Sequence, residues 1–237
     1  ALPMAGGIMM DMKRMSHLIE IDEVSRTITA EAGMIFQQLE WYANERGYSC
    51  QHIPSCLTCG TIGGALGHRG IGIMSSKYGK IDDMCISMEV VLPNGDIINT
   101  LPVPKHAAGP DLNEIFIGSE GTLGIITELT LKLIPAPKQT VSLICPFEDL
   151  ATCISTVPLF KKANMDPQAL EFFEREILIS SEEYLGKAVF PRNIGGQDVG
   201  AYLLVTFDAN TQDAIDAPGI EVKPLACRYP QGAEKVL

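Results

Sequence analysis

The sequence is short of positive charge. Lys and Arg number 18 against 29 Asp and Glu, for a net charge of −11. Such a surface repels phosphate backbones and anionic lipid, which argues against nucleic acid as a partner. Long apolar runs are also lacking. None is long enough to cross a bilayer, and no charged-then-apolar leader opens the chain, so no transmembrane segment is expected and the cytoplasm is the expected location. A second Cys-x2-Cys pair is missing too. Cys50, His52, Cys56 and Cys59 have spacings that could hold zinc, but a lone pair makes a weak zinc signature. Small apolar filler in a turn-rich region is the favoured reading, and no metal is expected. The seven cysteines are odd in number and irregular in spacing, with no secretory signal, so reduced thiols are expected. No Ser-His-Asp arrangement or paired-carboxylate motif stands out, and no catalytic residue can be assigned. His17 and His52 read as surface or turn positions. Glu171, Glu174, Glu176, Glu182 and Glu183 read as a solvated helical face.

What the chain has is enough apolar content to build a core and enough length for one large domain or one plus a smaller one. Residues 7–12 and 18–22 read as strands. Residues 26–32 alternate, with Ile28 and Ala30 on one side, and Gly33 stops them. Ile35, Leu39, Tyr42 and Ala43 recur at helical spacing up to Gly47. A strand over 84–92 turns at Pro93-Asn94-Gly95-Asp96, where Asn-Gly would supply the positive φ angles of a tight hairpin. Residues 111–117 form a short helix or turn, and 125–134 another strand. Pro135-Ala136-Pro137 is the best boundary. Beyond it come a strand at 141–146, a helix at 150–163, a mixed stretch at 169–180 and a strand at 201–208, followed by a weakly patterned tail. The class is α+β.

Two glycine-rich loops carry the functional signal. One is Pro54-Ser55-Cys56-Leu57-Thr58-Cys59-Gly60-Thr61-Ile62-Gly63-Gly64, followed by Lys77-Tyr78-Gly79. The other is Gly118-Ser119-Glu120-Gly121-Thr122-Leu123-Gly124-Ile125-Ile126-Thr127. Glycine lets a backbone approach a ligand closely and adopt positive φ, and small side chains let flat rings pass. In an acidic protein, backbone N–H groups are the natural partners for a nucleotide's phosphates.

Taken together, these loops resemble the FAD-binding oxidoreductases of the vanillyl-alcohol-oxidase type, with the PCMH fold. The similarity is greatest to the branch with glycolate oxidase D-subunits, D-lactate dehydrogenases and alkyldihydroxyacetone-phosphate synthases. Thr61-Ile62-Gly63-Gly64, Tyr78-Gly79, Glu89-Val90-Val91, the 118–124 loop and Ile125-Ile126-Thr127-Glu128 follow the family's order. Gly6-Gly7-Ile8 and the Asp11 to Met15 stretch resemble the segment after the family's first loop.

The resemblance implies an incomplete PCMH-type FAD-binding domain over 1–137, then part of an α/β cap domain over 138–237. It implies FAD as cofactor. Ser55, Cys56, Gly60, Thr61, Gly63 and Gly64 would line pyrophosphate and ribose. His68, Arg69 and Gly72 would stand where the chain passes the flavin. Gly118, Ser119, Glu120, Gly121, Thr122, Gly124, Ile125 and Ile126 would pack at the adenine end. The implied reaction is oxidation of a 2-hydroxy acid such as glycolate or D-lactate by hydride transfer to flavin. An ether-forming synthase of the same fold and a non-catalytic fragment are the alternatives. The oxidation would call for an electron-acceptor partner, and self-association is compatible with either enzyme.

The family's first pyrophosphate loop is not found, and the chain opens on Ala1. The expectation is a truncated piece whose catalytic residues lie outside it. Ala65 and Arg69 stand where many glycolate-type members carry Asn, and Gly70-Ile71-Gly72 replaces an Ala-Gly-Gly run.

Overall fold

The computed structural model describes residues 4–188 and 190–210. The chain forms two compact units, Ala1–Ala136 and Pro137–Leu237.

The first unit is built on an antiparallel sheet of five strands in the order β1-β2-β6-β4-β5. These are β1 (Leu18–Asp22), β2 (Thr27–Glu31), β4 (Cys85–Val91), β5 (Ile97–Asn99) and β6 (Ile125–Lys132). A two-residue β3 (Tyr48–Ser49) pairs with β7 (Ile134–Pro135). The helices are short: α1 (Phe36–Asn44), α2 (Ile62–Gly67), α3 (Ser75–Tyr78), α4 (Ile81–Met84) and α5 (Asn113–Phe116). Alternation decides which sheet face is buried. Ile28 and Ala30 of β2, Leu129 and Leu131 of β6, and Met88 and Val90 of β4 all point one way. They join Phe36, Leu39, Ile62, Leu66 and Ile81 in one core. The opposite face is polar, and Thr29 Oγ1 meets Thr130 Oγ1 across it at 2.9 Å.

Four sequence expectations change. Residues 7–12 form no strand; they run as irregular chain, largely exposed. The β4–β5 turn is not the doubly left-handed type. Pro93 holds a negative φ, and only Gly95 is left-handed, at φ 90. The Gly95 N–H donates to the Leu92 carbonyl at 2.9 Å, and the Leu92 N–H to the Asp96 carbonyl at 2.8 Å. This is a three-residue loop with the glycine in a bulge. His52 is no surface residue: it is 1% exposed, with its ring centroid 4.9 Å from that of Phe36. The proposed acidic helical face divides, since Glu171 and Glu174 lie in a strand and Glu182 is buried against Arg192.

The second unit has β8 (Gln139–Phe147), α6 (Leu150–Lys162), β9 (Ala169–Glu174), α7 (Arg175–Leu185), a small hairpin of β10 (Asn193–Ile194) and β11 (Gln197–Asp198), and β12 (Ala201–Ala209). β12 lies between β8 and β9 and is antiparallel to both. β8–α6–β9 is therefore a split crossover of two parallel strands, with β12 inserted between them. Leu203, Val205 and Phe207 of β12 pack with Phe147 and Cys153 in its core. Asp149 caps α6 by accepting from the Thr152 N–H at 2.7 Å. The weakly patterned tail beyond residue 210 lies outside the described residues.

Candidate functional site

A cavity of about 740 Å³ opens in the first unit. Three stretches form its wall: residues 8–12; Thr61, Gly63, Gly64, Gly67 and His68 on and beside α2; and Glu120, Gly121, Gly124, Ile125 and Ile126. Ala32 completes it. The size suits an organic cofactor or drug-sized ligand.

Backbone pairing brings the two glycine loops together. The Gly118 N–H donates to the Leu66 carbonyl at 3.2 Å, and the Glu120 N–H to the Gly67 carbonyl at 2.9 Å. Glycine is required at specific contacts. A Cβ on Gly63 would lie 2.6 Å from the Ala32 Cβ, and one on Gly124 would lie 2.6 Å from a Val90 methyl. The 8–12 stretch is held by Gly33, whose N–H donates to the Met15 carbonyl at 2.8 Å and whose Cα packs on the Met12 carbonyl.

Of the residues the sequence singled out, Thr61, Gly63, Gly64, His68, Glu120, Gly121, Gly124, Ile125 and Ile126 meet at this wall. The others are not among its lining residues. Gly60 packs on the Cys56 sulfur and Gly72 on the Ile53 backbone. Arg69 turns away, with Nη2 2.8 Å from Glu114 Oε2 and Nη1 3.4 Å from Asp82 Oδ2. Gly118 lies beside Arg69, the Ser119 carbonyl accepts from Thr122 Oγ1 at 2.7 Å, and Ser55 sits exposed in the turn before Cys56. Sequence reasoning did not name Met9, Met10, Met12, Ala32 or Gly67 as site residues. An apolar run such as 8–12 reads as a strand when its partner surface is unknown.

The wall is apolar and small where a flat ring would lie. Its charged members are acidic: Asp11, which pairs with Lys13 at 3.1 Å, and the exposed Glu120. The first N–H groups of α2 are already used. Ile62 donates to the Met34 carbonyl at 2.9 Å, Gly63 to the Ala32 carbonyl at 2.8 Å, and Gly64 to Thr61 Oγ1 at 3.2 Å. The residues present therefore fit the uncharged ring portions of a dinucleotide. Among the described residues no Lys or Arg lines this wall, and with these three N–H groups spent, a pyrophosphate there would need donors from outside the start of α2. His68 is anchored through Nδ1 to the Gly64 carbonyl at 2.8 Å, which makes Nδ1 the donor.

Other titratable groups are distorted away from the wall. Burial, with His68 adding to it, pushes the His52 ring down to about 4, and neither ring nitrogen has a hydrogen-bond partner. Burial pushes the Cys85 thiol up to about 12, with Asp111, Glu114 and Asp82 adding to it. Among the described residues, no group of three or more His, Cys, Asp and Glu side chains is placed to hold a metal ion. No helix among them is long and apolar enough to cross a membrane.

Known proteins share this chain's sequence and fold. Residues 2–101 match the family described as FAD binding domain, and residues 136–219 match the FAD linked oxidases, C-terminal domain. The chain is 40% identical over 217 residues to a D-lactate dehydrogenase of Anaerostipes hadrus, covering 91% of this chain and 46% of that protein. It is 37% identical over 183 residues to the glycolate oxidase subunit GlcD of Bacillus subtilis (strain 168), covering 77% and 39%. A solved alkyldihydroxyacetonephosphate synthase superposes with a TM-score of 0.71 at 26% identity, over 84% of this chain and 38% of that one. The chain thus spans less than half the length of these relatives. With both domain types matched in order along one chain, this protein belongs to the FAD-linked oxidoreductases, whose cofactor is FAD.

Proposed function

We propose that these residues serve an FAD-dependent oxidation of a 2-hydroxy acid, glycolate or D-lactate being the model substrates. The observation that carries this reading is the 40% identity to a D-lactate dehydrogenase, which runs through both domains. Bound flavin would supply the hydride acceptor for such a reaction. The chain's own part is positioning. Gly63, Gly64 and Gly67 offer a wall without side chains, so a flat ring can approach the backbone. Met9, Met10, Met12, Ile125 and Ile126 keep water from that ring. With Nδ1 committed to the Gly64 carbonyl, His68 presents Nε2 to hydrogen-bond a ligand hydroxyl. The substrate's electrons would leave for a separate acceptor.

A second reading has its own support. An alkyldihydroxyacetonephosphate synthase of Caenorhabditis elegans is 38% identical over 131 residues, and two solved synthase structures superpose with TM-scores of 0.71 and 0.72. That reaction class would form an ether bond with no net redox change. Anaerobic mixing of the flavin-loaded full-length protein with glycolate and D-lactate separates the two. Bleaching of the flavin by either acid supports the oxidation. No bleaching by any 2-hydroxy acid, with turnover of an acyl lipid instead, overturns it.

A further inference from the structure

The Cys56-x2-Cys59 pair is left unused by the flavin reading. It forms a tight turn in which the Cys59 N–H donates to the Cys56 carbonyl at 3.0 Å and the Gly60 N–H to the same carbonyl at 2.6 Å. An i-to-i+3 turn brings its end Cα atoms within about 7 Å, close to the reach of a disulfide, about 4.4–6.8 Å. The Cys56 sulfur points forward along the chain, onto the residue that follows Cys59. A Cβ built on that residue, Gly60, would lie 2.7 Å from the sulfur. Cys59 is exposed and Cys56 half-buried, so oxidants can reach both.

The other described cysteines differ. Cys50, Cys145 and Cys153 are buried. Burial raises the Cys50 thiol well above its ordinary range, with Glu40 adding to it, and the Cys85 thiol is likewise held up. The turn also has structural consequences on both sides. α1 has no side-chain cap, and its first N–H groups are served by this turn: Phe36 donates to the Gly60 carbonyl at 3.0 Å and Gln37 to the Leu57 carbonyl at 3.1 Å. On the other side, Thr61 follows directly and starts the cavity-lining helix.

We propose that Cys56 and Cys59 form a reversible dithiol–disulfide switch, oxidised by a small-molecule disulfide, that clamps the turn joining the start of α1 to the cavity wall. The exchange runs in two displacements. The Cys59 thiolate attacks one sulfur of the small disulfide and expels the other half as a thiolate. The Cys56 thiolate then attacks the Cys59 sulfur, forms the Cys56–Cys59 bond and expels the second half. The protein loses two hydrogens, and one small disulfide becomes two small thiols. The proposal does not depend on flavin or on the substrate assigned above.

The test incubates the protein with oxidised glutathione, blocks remaining thiols by alkylation, and maps peptides by mass spectrometry. A parallel sample carries Cys227→Ser, which removes the cysteine lying beyond residue 210. The expected result is a Cys56–Cys59 cross-link in both samples, with loss of alkylation at these two positions, full recovery after dithiothreitol, and slower amide exchange over residues 57–64 in the oxidised form. Cys59→Ser, at an exposed position, should abolish the cross-link. A stable glutathione adduct on Cys59 alone, no modification of either thiol, or a cross-link that leaves exchange over 57–64 unchanged would each overturn the proposal.

Discussion

Gly33 shows how one residue can decide a site it does not line. A Cβ at this position would come within 1.8 Å of the Met12 carbonyl oxygen, and backbone cannot yield as a side-chain tip can. Gly33→Ala is therefore expected to cost about 1–3 kcal/mol and to dislodge residues 8–12 from the cavity. Chemical denaturation gives the first number, and raised amide exchange over 8–15 reports the second effect. His52 makes a different prediction. Its ring is buried without a hydrogen-bond partner and is held neutral, with its pKa near 4. A depressed histidine pKa means that the unfolded chain takes up the proton first. Stability should fall as pH drops from about 6.5 towards 4, by roughly 3 kcal/mol at the acid end. His52→Phe should remove that acid sensitivity and be neutral or stabilising at pH 7, since no bond is lost. Unfolding curves at pH 7 and pH 4.5 check both parts; an unchanged acid slope would refute the assignment.

At the scale of elements, the polar sheet face carries a row of three carboxylates on adjacent strands. Glu31 of β2 pairs with Glu128 of β6, which pairs with Glu89 of β4. Burial lifts the Glu128 carboxyl above its ordinary range, with Glu89 and Glu31 adding to it. A raised carboxyl pKa means that the folded chain holds the proton more tightly, so this contribution falls as pH rises past the ordinary carboxylate value. Glu128→Gln should stabilise the sheet by roughly 0.2–1 kcal/mol at pH 7 and have little effect below pH 4. Equal effects at both pH values would mean that the carboxylate row is not the cause.

The strands themselves were legible, because Ile28 and Ala30 alternate and Gly33 and Gly95 punctuate. Residues 8–12 misled for a physical reason: Ile8, Met9, Met10 and Met12 are apolar residues lining a cavity, and the backbone there is irregular rather than paired in a strand. Pro93 overrode the Asn-Gly signal by fixing its own φ. In the site, glycine spacing pointed correctly to where the two loops meet. It could not tell Gly63 and Gly64, which face the cavity, from Gly60 and Gly72, which pack on Cys56 and Ile53. His52 looked like a turn residue because its burial comes from Phe36, 16 residues earlier.

At the scale of the whole molecule, the cavity has room for FAD, but the start of α2 has few N–H groups left to offer it. The wall suits a ring, yet the N–H groups of Ile62, Gly63 and Gly64 are spent within the protein. Each hydrogen bond to a charged group is worth about 1.5–3 kcal/mol, so lacking two weakens binding by roughly 10²–10⁴-fold. These 237 residues alone should therefore bind FAD weakly, and stoichiometric binding at submicromolar flavin would contradict that. Weak binding still has a definite place on the surface. The most direct measurement is amide hydrogen exchange of this chain with and without saturating millimolar FAD. Slower exchange confined to residues 8–12, 61–68 and 120–126 is the expected result. Protection elsewhere, with these three stretches unchanged, would contradict the assignment of the cavity to the flavin nucleotide.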